Sequence, residues 1–283
     1  MTFPRGYRAN PQAHRLTRAK YRATRVAAAP AEWLELVPVA VECSPAWLQT
    51  LSSCTGHGSA DGVNIAFAAA GAPLPFRCSP AEAYRNGRAI DRIFVGGRPT
   101  TDLKDEGARP WAVIKAVNTI GVCPTKAADG VSSDDDEATV NDEAMLGTVE
   151  VERQTVPIGE YGIPSVGEGA SLAEVVTNVK AALASSLPVG LGCNAEGPFQ
   201  TWTGPTAYTP PADAPPPDHW VILIGYRQNA AGRTEFLLKN SWGADWGCSV
   251  THGGRTLFGC MWVSEAFLAT CDDLTVYVPE LAA

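Results

Sequence analysis

The stretch Phe236-Leu237-Leu238-Lys239-Asn240-Ser241-Trp242-Gly243-Ala244-Asp245-Trp246-Gly247 decides the reading of this chain. Its opening, over 235–239, has the apolar run of a buried strand, and Asn240 ends it in a turn of small and aromatic residues. The turn-rich segment 229–233 joins it to an earlier β-like run, 220–226, which His219 opens. A histidine and an asparagine at the ends of two paired strands suit one chemical task. An imidazole that moves protons must be held in one orientation and tautomer, and an amide oxygen accepting from its second ring nitrogen does this. Trp242 is placed to keep water off that bond. The third group is Cys54, just before a helix-like segment, where the helix N-terminus and a neighbouring imidazolium both favour the thiolate.

After Cys54, Val63, Ala66, Phe67 and Ala70 recur at helical spacing and Gly71 stops the run. Gly56, Gly58 and Gly62 leave the start of this helix open by several residues. A second helix is expected over 111–120, with Val113, Ile114, Val117 and Ile120 on one face. A third starts after Ser171, which makes a capping box with Glu174 ahead of the stripe Leu172, Val175, Val176, Val179, Leu183. Val189–Cys193 reads as a short strand, and the proline-rich 209–217 is too donor-poor for a sheet interior. The first half is helix-rich and the second strand-rich, and two unlike halves suggest a cleft between them.

The chain has 283 residues, 45% hydrophobic and 18% charged, enough for a large core. No apolar run approaches the length of a membrane span. Residues 1–31 carry seven basic side chains and no acid; against a chain total of −8 they leave −15 on residues 32–283. This basic arm, 1–40, is expected to be mobile or loosely packed, with docking on the acidic body or a short pro-region as the sharper option. It lacks the apolar stretch of a secretory signal, so the expectation is a cytoplasmic or virion-associated protein with no membrane and no nucleic-acid partner. The eight cysteines show no CxxC pair, so neither a disulfide scaffold nor a zinc site is required. The acids between Ser132 and Glu143 lack calcium-loop spacing and read as a solvated loop. His57, three after Cys54, has no second metal-ligand pair; no metal or cofactor is expected.

With these segments in place, the chain resembles the papain-like cysteine peptidases. Residues 218–226 resemble the family's His strand and 236–247 its Asn motif, which is long and specific. Leu51-Ser52-Ser53-Cys54-Thr55-Gly56 resembles the nucleophile segment in the form of bacterial and phage members. Gly107-Ala108-Arg109-Pro110-Trp111 and Gly121-Val122-Cys123-Pro124 also resemble family stretches. The resemblance implies an α+β, two-lobe fold over 41–283, helical over about 41–165 and β-barrel-like over about 166–283. It implies a thiol endopeptidase acting on peptide or protein substrates, with Cys54 as nucleophile, His219 as general base and acid, and Asn240 as the orienting group. Gln49, five positions before Cys54 where six is usual, is carried over as an oxyanion donor beside the Cys54 backbone N–H. Gly107, Pro110, Asp218 and Trp242 are carried over as substrate-binding; a helix-entry loop explains Gly107 and Pro110 almost as well, and a turn cap explains Asp218. Only about 40–50 residues precede the core, too few for a full-length pro-region.

Thr55, Trp220 and the shifted Gln49 depart from the family pattern. They keep open an inactive relative that binds peptides in the cleft. Another Cys–His acyl-transfer enzyme, such as an amidase or transglutaminase, is the third reading, although those enzymes usually orient the histidine with an acid.

Overall fold

The stripe that follows Cys54 becomes the central helix of the protein in a computed structural model that describes residues 5–21, 29–96, 105–122, 154–211 and 213–281. The helices before and after it are α1 (Gln12–Thr17), α2 (Leu36–Cys43), α3 (Cys54–Ala69), α4 (Pro80–Gly96) and α5 (Pro110–Thr119). Gly71, at φ +73°, supplies the left-handed turn just beyond the end of α3. Every residue of α3 from Cys54 to Phe67 is buried. A helix buried all round has elements on every side, and α3 packs against α2, α4 and the sheet.

The second half follows as β1 (Ile158–Gly162), a 3₁₀ turn (Val166–Glu168), α6 (Leu172–Ala184), β2 (Val189–Cys193), the short α7 (Pro198–Thr201), β3 (His219–Gln228), β4 (Thr234–Lys239), β5 (Cys248–His252), β6 (Arg255–Ser264), a second 3₁₀ turn (Glu265–Thr270) and β7 (Asp272–Pro279). Ser171 caps α6 through the Glu174 backbone N–H at 3.3 Å. The strands form one antiparallel sheet in the order β1-β7-β2-β3-β4-β6-β5. It has two edges, β1 and β5, so the β-barrel-like half is an open sheet and not a closed barrel. β1 lies before residue 166 in the chain and pairs with β7.

α3 lies against β3 and β7, and its glycines mark the closest approaches. A Cβ on Gly58 would come within 2.5 Å of the Trp220 ring, and one on Gly190 of β2 would do the same from the other side. The residues that weaken the helix by propensity are those that let the large indole of Trp220 into the core. Among the described residues no helix is long and apolar enough to cross a membrane. The acidic segment 132–143 and Cys123 lie outside the described residues.

Candidate active site

β3 and β4 pair with Ile222 opposite Lys239, which brings His219 at the start of one strand to Asn240 at the end of the next. The Nε2 of His219 lies 2.7 Å from Oδ1 of Asn240. The amide oxygen only accepts, so Nε2 carries the hydrogen and Nδ1 is left with its lone pair. That Nδ1 is buried and has no hydrogen-bond partner among the described residues. The Trp242 ring stacks on the imidazole with centroids 4.5 Å apart, and Trp246 and Phe199 pack edge-on against Trp242. The indole therefore covers the imidazole that makes the His219–Asn240 bond.

Cys54 is the first residue of α3 and fully buried, in one cluster with Tyr7 and Trp220, and the backbone N–H groups of Trp220, Gly6 and Thr55 draw its thiol down. The Trp220 contact sets the thiol beside the peptide that follows His219. Burial pushes Cys54 up to about 12 against the opposing pull of those N–H groups. Burial also pulls His219 down to about 4, partly offset by the bond to Asn240. Both groups are thus neutral in this state.

Gln49 is anchored to Ser241, the residue after Asn240. Its Oε1 accepts from the Ser241 hydroxyl, its backbone N–H donates to the Ser241 carbonyl at 2.9 Å, and Nε2 donates to the Leu51 carbonyl at 3.0 Å. Asp218 accepts from the Ala195 N–H at 2.9 Å, and burial raises its carboxyl. Trp220 packs between Gly58 and Gly190 and shares one buried cluster with Cys54 and Tyr7. Thr55 is buried in the first turn of α3. Pro110 opens α5 as its first residue, a helix-entry role. His57 is buried, and its Nδ1 lies 3.2 Å from the Ser53 carbonyl.

What sequence reading missed is the occupant of the cleft. The described part of the basic arm is packed, and residues 5–8 run through the groove in extended form. The Ala108 N–H donates to Gly6 O at 2.9 Å, Arg8 N–H to Ala108 O at 3.1 Å, and Tyr7 N–H to Asp218 O at 3.2 Å. The pairing of Tyr7 with Ala108 is parallel. A Cβ on Gly107 would strike Gly6 O at 2.0 Å, and Gly107 sits at φ +81°, so only glycine fits there. The Tyr7 ring stacks on Trp220 at 5.8 Å, its hydroxyl donates to Asp273 Oδ2 at 2.6 Å, and a Cβ on Gly192 would collide with it. Arg5 pairs with Asp218 and, at 2.8 Å, with Glu196; Arg8 lies 3.4 Å from Asp91; Arg15 lies 3.7 Å from Asp273. The charge imbalance between the arm and the body raised docking only as the sharper option beside a mobile arm, and it did not place the arm in the cleft.

On the far side of Trp242 a groove of about 500 Å³ stays open, lined by Ala46, Leu48, Gln200, Trp202 and Trp246. Among the described residues no group of acidic, histidine or cysteine side chains is arranged to hold a metal ion.

Residues 152–252 match the family described as Papain family cysteine protease. A cathepsin L-like peptidase of Aedes aegypti is 37% identical over 70 residues, 24% of this chain and 21% of its own, so the chain spans about a fifth of that relative's length. Among solved structures, xylellain, a cysteine protease from Xylella fastidiosa, superposes with a TM-score of 0.67 at 19% identity, covering 99% of this chain and 98% of its own. Procathepsin L 3 of Tenebrio molitor gives 0.59 at 16% identity, covering 93% and 74%. Bromelain from Ananas comosus, in complex with the inhibitor E64, gives 0.54 at 15% identity, covering 89% and 100%. The fold is papain-like, and the chain is similar to the papain-like cysteine peptidases, a bacterial one among them.

Proposed function

We propose that this papain-like chain is a cysteine-type endopeptidase held latent by its own N-terminal arm. The reading rests above all on the 2.7 Å bond from His219 to Asn240 under Trp242, which leaves Nδ1 with its lone pair, one residue before the Trp220 that packs with Cys54. With the arm displaced, solvent returns and the burial that neutralises both groups is relieved. The Cys54 thiol gives its proton to Nδ1, and the thiolate attacks the peptide carbonyl carbon. The oxyanion is held by the Cys54 N–H and the Gln49 amide. Nδ1 then protonates the leaving amine, and water, deprotonated by Nδ1, hydrolyses the thioester. Asp218 O, which accepts from Tyr7, and Ala108, which pairs with the arm, are free once the arm leaves and bind the substrate backbone in its place. Trp242 forms a wall of the open groove on the other side of the thiol.

The test uses the full chain with the arm loosened by Arg5→Ala and Tyr7→Ala. That protein should hydrolyse peptide substrates, and adding Cys54→Ala should abolish turnover with the fold unchanged by circular dichroism. Retained hydrolysis after Cys54→Ala would sink the assignment. The peptide-binding alternative, motivated by Thr55, Trp220 and the shifted Gln49, predicts no turnover from the arm-loosened protein.

A further inference from the structure

We propose that Cys248 and Cys260 form a thiol pair that closes reversibly into a cross-strand disulfide by exchange with a small disulfide such as oxidised glutathione. The two residues are direct partners across the antiparallel β5–β6 pair. Directly opposed residues in such a ladder have Cα atoms about 4.5 or 5.5 Å apart, within the roughly 4.4–6.8 Å that a disulfide spans. Both are free thiols. The Cys260 thiol also lies 3.2 Å from the Cys248 carbonyl. Cys260 is fully buried while Cys248 is partly exposed on the edge strand, so one sulfur meets the reagent and the other waits behind it.

The hydrogen bond from Cys260 lowers the Cys248 thiol, and Arg227 acts in the same direction. Cys54, by contrast, is fully buried and pushed up to about 12. Of these two thiols, Cys248 is the one open to a reagent in the arm-docked protein.

The exchange balances in two steps. The Cys248 thiolate attacks one sulfur of the glutathione disulfide, that S–S bond breaks, and one glutathione thiolate leaves. Cys260 then loses its proton and its sulfur attacks the Cys248 sulfur, expelling the second glutathione thiolate. The protein thiols give up two electrons and two protons, and glutathione disulfide is reduced to two thiols. The bond pins the loop that carries the site: Asn240 N–H donates to Gly259 O at 3.0 Å, and a Cβ on Gly247 would strike Cys260 O at 2.2 Å. Both ends of residues 240–247 thus rest on the neighbourhood of Cys260.

The full chain is incubated with oxidised glutathione, quenched with iodoacetamide and mapped without reduction. A Cys248–Cys260 linked peptide lighter by two hydrogens is expected, together with a melting temperature raised by roughly 5 °C. Cys260→Ser should trap glutathione on Cys248, and Cys248→Ser should abolish both products and the thermal shift. The proposal is overturned if both residues stay alkylatable, if either links to another cysteine, or if glutathione remains on Cys248 of the unsubstituted protein. None of these readouts depends on peptidase activity.

Discussion

Lys239 Nζ sits 2.5 Å from Asp61 Oδ2, and both side chains are buried. Asp61 is two turns along α3 from Cys54, and Lys239 immediately precedes Asn240. The ion pair therefore joins the helix that carries the thiol to the strand that carries the orienting amide. Ser44 and the Trp47 indole N–H, at 2.6 Å, donate to the other carboxylate oxygen, and Lys239 also donates to Pro45 O at 2.9 Å. A buried pair with its remaining hydrogen bonds met is costly to break from one side.

Asp61→Ala leaves the Lys239 ammonium buried without its counter-charge. A loss of about 3–5 kcal/mol is expected. Urea unfolding monitored by tryptophan fluorescence checks it, and a loss below about 1 kcal/mol would mean that the cation finds water or another partner.

Asn240→Ala removes the acceptor that fixes the His219 tautomer but leaves the thiol and imidazole in place. A fall in kcat of about a hundredfold is expected, the scale of a misplaced catalytic group. KM should hold, because Asn240 lies beneath Trp242 and not on the substrate path. The measurement belongs in the arm-loosened protein, where turnover is readable.

Tyr7→Ala empties the space between Trp220, Gly192 and Asp273. Deleting a buried aromatic costs about 3 kcal/mol, on the order of a hundredfold in the undocked fraction. The rate of iodoacetamide labelling at Cys54, read by peptide mapping, should rise by that factor. Arg5→Ala should change it far less, because its partners are partly exposed and such pairs are worth about 1 kcal/mol or less.

The helices over 54–69, 110–119 and 172–184 and the strands around His219 and Asn240 were legible because their apolar residues keep one period. α4 was not. Its inward face carries Arg85, Asn86, Arg88 and Asp91, all buried. Two of those polar groups are met by partners distant in sequence: Asn86 donates to Gly121 O at 3.1 Å, and Asp91 pairs with Arg109. Hydrophobic periodicity is blind to such a face; the one local signal was Ser79 ahead of Pro80 and Glu82, where the Glu82 N–H donates to the Ser79 hydroxyl at 3.3 Å. Asn240 and His219 were readable because their strand context is local. The pocket around Tyr7 was not, because Asp273 and Gly192 come from β7 and β2 and meet only when the sheet forms.

The pH dependence of the docked form follows from the two neutral groups. His219 titrates near 4 when docked and near 6.5 in the unfolded chain. Between those values the unfolded chain binds a proton that the docked form refuses, so stability is complete above about 6.5 and is lost as pH falls toward 4. Cys54 acts at the other end: its docked value of about 12 lies above its ordinary value of 9.0, so stability is lost as pH rises above about 9. Asp218, raised by burial, works against the histidine on the acid side with the smaller shift. The full chain should therefore melt highest between about pH 6.5 and 9. His219→Gln should flatten the acid limb, and Cys54→Ser should lessen the alkaline limb without abolishing it, because burial also pushes Cys43 and Cys78 up to about 12. Scanning calorimetry across pH checks both, and an acid limb unchanged by His219→Gln would show that the imidazole is charged, and so solvated, in the docked protein.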